Sequence, residues 1–137
     1  MDKTLRMLMA GIVAGFILFL VVSLVYHYTG SISDPSISKL FKETISMKWF
    51  YKLLLLNIGS GIIMAFFYAM IANGLPGSGI FKGVFWGFIV WLIMVHQPMI
   101  LHIVAGKFNT NLLLTWVLQG LTSYVAAGVS ISIIYKQ

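Results

Sequence analysis

Four long stretches without a charged side chain most constrain how this chain can fold. They cover residues 7–28, 53–75, 83–106 and 112–135, and the last lies within an uncharged run that begins at Phe108. A helix needs about 20 apolar residues to cross the roughly 30 Å hydrocarbon core of a bilayer. Alternation of period two is missing, and an open sheet cannot satisfy its backbone in lipid. The sequence therefore predicts an all-α polytopic membrane protein, a four-helix bundle in a single domain over 1–137.

The charge content supports lipid as the main solvent. Hydrophobic residues make up 60% of the chain and charged residues only 9%, against roughly 25% in soluble proteins. The net charge of +6 is carried by basic residues near the ends of apolar stretches, which favours lipid headgroups over nucleic acid as the anionic partner. No cysteine is present, so disulfides, thiolate catalysis and cysteine-ligated metals are excluded.

The connection between the first two spans predicts a surface helix over about 35–49. Asp34 can cap this helix, and Pro35 suits its first turn. Apolar residues then recur three and four apart with lysines between them, which is typical of a helix lying on a membrane surface. These apolar residues are Ile37, Leu40, Phe41, Ile45 and Trp49. A docking helix for a soluble partner is the alternative.

The orientation in the membrane is ambiguous. With four spans both termini share a side, and that side holds Lys3, Arg6, Lys82 and Lys136. The opposite side holds Lys39, Lys42, Lys48, Lys52 and Lys107. The first helix usually dominates the positive-inside bias, which favours cytoplasmic termini in the cell inner membrane. The lysine-rich surface helix favours the reverse, and dual topology stays open.

Small residues recur at four-residue spacing in all four spans. In lipid such spacing lets helix backbones approach closely, so we expect these positions to pack the bundle, with some seams free to face a second copy or a larger complex. The predicted packing glycines are Gly11, Gly15, Gly61, Gly79, Gly83, Gly87 and Gly120.

The first and third spans also predict a repeat of two helical hairpins. Residues 11–20 and 83–92 both follow the pattern Gly-x-x-x-Gly-Phe-Ile-x-aromatic-Leu without a gap. The second and fourth spans then correspond more weakly, with Asn57 opposite Gln119. Because the first and third spans run in the same direction, the predicted repeat is parallel. Transporters often place binding sites at such repeat interfaces.

Polar residues gather in the half of the bilayer away from the termini, and polar groups at this depth usually have a function. Pro98 removes the helical bond to Met94 and predicts a kink there, which either is satisfied by neighbouring helices or lines a binding pocket or proton path. The candidate pocket residues are His96, Gln97, Pro98, His102, Asn57, Gln119 and His27.

Other chemistries find less support in these residues. His27 could pair with His96 or His102 as axial ligands of haem b, although the spacing carries no haem signature. No carboxylate lies at membrane depth, so no metal site is expected. Serine without an orienting third group makes no nucleophile, and we predict no catalytic residue and no cofactor.

The third span resembles small bacterial inner-membrane proteins of the uncharacterised YagU-like type. The resemblance rests on Gly83, Gly87 and Trp91, followed by His96-Gln97-Pro98. It implies a four-helix bundle in the cytoplasmic membrane and carries over no substrate or catalytic residue. The sequence thus predicts a small non-enzymatic accessory or assembly subunit. The alternative is a small transporter or channel, and a haem-binding electron-transfer subunit is the distant third.

Overall fold

A computed structural model of the chain describes residues 2–29, 47–106 and 110–135. This part of the chain forms four helices and no strand: α1 (Lys3–Thr29), α2 (Met47–Ile71), α3 (Ile80–Ala105) and α4 (Thr110–Ile134). All four are long and apolar enough to cross a membrane, which confirms the predicted all-helical class with four helices of spanning length. The description does not extend to the side chains of Tyr26, Thr29, Gln97, Pro98, His102 and Leu112.

The ends of the helices differ from the predicted spans by a few residues. The second helix begins at Met47, six residues before the predicted span, so its first turns carry two lysines. The predicted surface helix over 35–49 lies outside the described residues, apart from 47–49 in α2. Gly77 and Gly79 adopt positive φ in the turn before α3, a conformation that glycine adopts without steric cost. Gly79 therefore precedes α3 rather than extending its glycine seam.

The helices contact one another in the order α2, α1, α4, α3. The two sequential hairpins, α1 with α2 and α3 with α4, are each closely packed, and α1 packs along α4 to join them. The backbones of α2 and α3 stay farther apart. The helices α1 and α4 therefore each lie between two neighbours, whereas α2 and α3 stand at the two ends of this order.

Small side chains fill the interior, and large apolar side chains cover the outside. Ala10, Ala14, Ala65 and Ala127 are fully buried. By contrast, Phe81 is 73% exposed, and many other leucine, isoleucine and phenylalanine side chains are also exposed. A soluble protein rarely exposes so large a contiguous apolar surface, whereas small residues are enriched where helices meet in lipid. The packing therefore matches a membrane as the surrounding solvent.

Glycines hold the first hairpin together through backbone contacts. A Cβ atom added to Gly11 would lie 2.6 Å from the Ile62 Cα atom. A Cβ atom added to Gly61 would lie 2.8 Å from the Gly15 Cα atom and closer still to the Gly11 carbonyl oxygen. Only glycine leaves room for helices this close, which agrees with the packing predicted for small residues spaced four apart.

The second hairpin repeats this contact with another glycine of α4. A Cβ atom on Gly87 would lie 2.6 Å from the Val125 Cα atom, and one on Gly128 would lie 3.0 Å from the Gly87 Cα atom. Gly120, the expected packing glycine of α4, instead faces side chains of α3, with Val95 Cγ2 at 3.1 Å from its added Cβ atom. Gly128 therefore takes the place in this hairpin that Gly61 has in the first.

These contacts change the register of the predicted repeat. Gly61 and Gly128 are 67 residues apart in the sequence, whereas the predicted pairing of Asn57 with Gln119 implies 62. In the new register Tyr68 corresponds to Tyr135, and their rings meet edge to face with centroids 6.3 Å apart. The duplication itself stays a prediction, with an alignment of the second helices shifted by five residues.

Two long side chains bridge the gap between α2 and α3. The indole Nε1–H of Trp86 donates a hydrogen bond to the Met64 carbonyl oxygen at 3.2 Å, and the Lys82 ammonium donates one to the Ala72 carbonyl oxygen at 2.7 Å. Trp86 lies 72 residues after Ala14, at the corresponding position of the predicted repeat. Alanine there leaves room for α1 to approach α4, whereas tryptophan holds α3 away from α2 and fills the space.

Candidate functional site

The described histidines lie outside the four-helix interior. The His96 side chain is exposed near the middle of α3, and that of His27 is exposed at the end of α1, where its ring packs edge to face on Tyr28 at 5.7 Å. The third helix continues through Pro98 to Ala105 as one helix. The described residues contain no group of three or more His, Asp or Glu side chains that could hold a metal ion.

The spacing of residues along α3 explains why His96 faces outward. Gly87 faces α4, and His96 follows it by nine residues, which is two and a half turns at 3.6 residues per turn. The two residues therefore lie on opposite faces of the helix. Because α3 stands at the end of the helix order, no described helix packs against the face opposite α4. The side chains of Gln97, Pro98 and His102 lie outside the description.

Two other predicted residues, Asn57 and Gln119, come together in one pocket. The pocket has a volume of about 220 Å³ and lies between α1, α2 and α4. It occupies the polar half of the protein, since Asn57 lies in the first half of α2 and Gln119 in the first half of α4. Its lining residues are Leu18, Val22, Asn57, Trp116, Gln119, Gly120, Ser123 and Tyr124.

Several polar groups of this pocket are bonded to their own helix. Asn57 Nδ2 donates to the Leu53 carbonyl oxygen at 2.8 Å, and the Ser123 hydroxyl donates to the Gln119 carbonyl oxygen. The Gln119 Oε1 atom is buried and has no hydrogen-bond partner among the described residues, and the same holds for the Ser23 hydroxyl of α1. Buried polar atoms are rarely left unpaired, so the pocket offers an acceptor that a bound donor would satisfy.

The chemistry of the lining favours small neutral guests. None of the described residues that line the pocket is Asp, Glu, Lys, Arg or His, so none of them would balance the charge of an ion. A water molecule occupies about 30 Å³ in the liquid, which leaves room for several waters or one small polar molecule. The Ser123 hydroxyl faces no base among the lining residues, so the pocket does not assemble a nucleophile.

Of the eight residues that line the pocket, depth along the spans placed two, Asn57 and Gln119, among the candidates. Val22 and Tyr124 were not among the candidates, because depth alone does not show which side chains share a face. One signal was present: Ser123 and Tyr124 follow Gln119 by about one turn, so they lie on the same side of the helix as a candidate residue.

Comparison of the chain with family models, with curated proteins and with solved structures gives no match. Any function proposed for this chain therefore rests on its residues and their arrangement.

Proposed function

We propose that this chain is a small non-enzymatic subunit of the cell inner membrane that accompanies or assembles a larger membrane complex. In this proposal the four spans form a bundle of two repeated hairpins, and residues 35–49 form a helix on the membrane surface. The single observation that carries the proposal is the outward position of His96.

An outward histidine at this depth favours a second polypeptide. His96 is 16 residues from the start of α3 and nine from its end, or about 24 Å and 14 Å along the helix. Ionisable side chains within membrane spans almost always face a protein interior or a water-filled cavity. Because the His96 side chain is exposed among the described residues, a partner helix with a hydrogen-bonding side chain at the same depth would cover it.

The surface around His96 has the shape that such a helix needs. Phe85, Phe88 and Leu92 precede His96 on the same exposed stripe of α3. The two phenyl rings border an apolar groove of about 620 Å³, whose other wall includes Thr122 and Ala126 of α4. Short side chains at the base of a groove let a second helix approach closely.

A partner helix in this groove would need few polar side chains. The Thr122 hydroxyl donates to the Leu118 carbonyl oxygen of its own helix at 2.9 Å. An apolar partner helix would therefore leave this hydroxyl with its hydrogen bond intact. Specific pairing would then come from His96, which lies beyond the groove on the same stripe of α3, eight residues after Phe88, or about 12 Å along the helix. We propose that the occupant is a transmembrane helix of a different protein, not a second copy of this chain.

Replacing His96 by leucine is expected to abolish co-purification of the partner from gently solubilised membranes, as measured by native mass spectrometry. The partner would lose its hydrogen bond, while the isolated chain loses no described contact and should unfold at the same temperature. His27→Leu is the matched control, since His27 is also exposed but lies at a helix end, and it should retain the partner. A complex that contains only copies of this chain would contradict the proposal, as would an H96L variant that keeps its partner.

A small transporter or channel is the second candidate, and the buried Gln119 Oε1 atom favours it. The proposed substrate path would use the pocket of Asn57 and Gln119 rather than the outward face of α3. The guest would be a small neutral molecule with at least one hydrogen-bond donor, because the lining offers an acceptor and no charge.

Replacing Gln119 by leucine separates this candidate from a pocket that has only a structural role. In a dry pocket the substitution removes an unsatisfied acceptor and should raise the unfolding free energy by about 1 kcal/mol. If the pocket binds a guest, stabilisation by that guest and any uptake should both be lost. Thermal unfolding with and without small polar solutes gives the first measurement, and proteoliposome uptake gives the second. His96→Ala is the control, and an equal loss of uptake in this variant would argue against the pocket.

A further inference from the structure

A second cavity lies at the membrane surface, at the end where the chain begins. Its volume is about 670 Å³, and its walls come from the end of α2, the turn before α3, the first residues of α3 and the end of α4. Tyr68, in its wall, lies three residues before the end of α2, or about 4.5 Å along the helix. The cavity therefore opens at the level of the lipid headgroups.

A lysine in the wall of this cavity has no counterion among the described residues. Lys82 is half-buried, and its ammonium group donates one hydrogen bond, to the Ala72 carbonyl oxygen at 2.7 Å. A lysine ammonium carries three donors, so two remain for a ligand. The described part of the chain gives Lys82 no carboxylate within ion-pair distance. Charges that are removed from water are normally paired, so an anionic ligand in this cavity would give Lys82 a counterion.

Hydroxyl groups surround the same cavity. Tyr68, Tyr135, Ser78 and Ser132 line it together with Lys82. The Ser132 hydroxyl donates to the Val129 carbonyl oxygen at 2.8 Å, and the exposed Ser78 lies in the turn before α3. Tyrosine is enriched at the membrane–water boundary because its ring is apolar and its hydroxyl polar. A lysine among hydroxyl groups suits the oxygens of a phosphate.

The remaining wall is apolar and favours a lipid over free phosphate. Ile80 and Ile133 line the cavity and are 54% and 48% exposed, so they meet the surrounding bilayer. A phosphate ion would leave these side chains uncovered, whereas the glycerol and upper acyl chain of a lipid would cover them. We propose that this cavity binds the phosphate of an anionic phospholipid, with Lys82 as the cationic contact.

The test measures lipid retained by the detergent-purified full chain in native mass spectra. The chain is incubated with phosphatidylglycerol, with phosphatidylcholine, and with phosphatidylglycerol together with inorganic phosphate, each at equal concentration. We expect preferential retention of phosphatidylglycerol, and a decrease of about tenfold in Lys82→Gln, since a charge-assisted hydrogen bond is lost. Lys82→Arg keeps the charge and should retain the lipid. Lys3→Gln, which removes an exposed charge from the same membrane side, should change retention less than about twofold because such charges are screened by salt.

A second variant tests the proposal independently, in case Lys82→Gln does not fold. Ser78→Glu adds a carboxylate in an exposed turn beside the cavity and leaves Lys82 in place, so it should repel the phosphate and lower retention as K82Q does. Unchanged phosphatidylglycerol retention in folded K82Q or in S78E would overturn the proposal. An equal decrease in K3Q would reduce it to general surface attraction, and displacement of the lipid by an equal concentration of inorganic phosphate would assign the site to the free ion.

Discussion

Alanine at Gly61 is expected to lower the unfolding free energy by about 3 kcal/mol, near the upper end of the usual cost of overpacking. The added methyl group would meet backbone atoms of α1, including the Gly15 Cα atom at 2.8 Å. Backbone atoms cannot rotate away as a side chain can, so α1 and α2 would have to separate along their length. Unfolding in mixed detergent micelles, followed by circular dichroism, measures the loss.

The same helix supplies the control for this experiment. Gly59 lies two residues earlier, and no atom of another described helix lies within 4 Å of a Cβ atom added there. Gly59→Ala should therefore be neutral or should stabilise the chain by up to about 1 kcal/mol, because alanine loses less backbone entropy than glycine in a helix. Equal stability of the two variants would show that the hairpin does not depend on the backbone contact.

Replacing Trp86 by alanine has the other large expected effect. Trp86 is only 7% exposed and fills the space between α2 and α3, so its truncation should cost about 3–5 kcal/mol. Trp86→Phe keeps most of the packing and removes the hydrogen bond to the Met64 carbonyl oxygen, which should cost about 1 kcal/mol. Urea or detergent titrations of the two variants give the comparison.

The difference in stability between these two variants tests whether the indole acts as a spacer. If α2 and α3 depend on the indole as a spacer, W86A should be several-fold more destabilised than W86F. An alanine variant as stable as the phenylalanine variant would mean that α3 is held by α4 alone and that the contact with α2 is incidental.

The candidate site shows what depth along a helix can predict and what it cannot. Depth along a span is a local property, and it placed Asn57 and Gln119 in the same half of the membrane, where they share a pocket. It also grouped His96 with them, because a histidine at that depth has the same polarity whichever way it faces. The rotational orientation of a helix about its own axis decides which neighbours each side chain contacts. The sequence does not reveal this orientation when both faces of the helix are apolar.

Two equal spacings illustrate this point. His96 follows Gly87 by nine residues, and Gln119 precedes Gly128 by nine residues, so each polar residue lies opposite a glycine that packs the second hairpin. On α3 the opposite face is outside and His96 is exposed. On α4 the opposite face meets α1, because α4 lies between α3 and α1, and Gln119 enters a pocket.

The sequence by itself determined that this chain forms four apolar helices long enough to cross a membrane, because length and hydropathy are local properties. It also indicated glycine-mediated packing, since glycines four residues apart mark one face of a helix. Only the tertiary structure decided that Gly128 rather than Gly120 pairs with Gly87, that α1 packs along α4, and that Trp86 separates α2 from α3. In lipid, hydrophobicity does not distinguish a packed face from an exposed one, so these choices follow from the fit of side chains between helices.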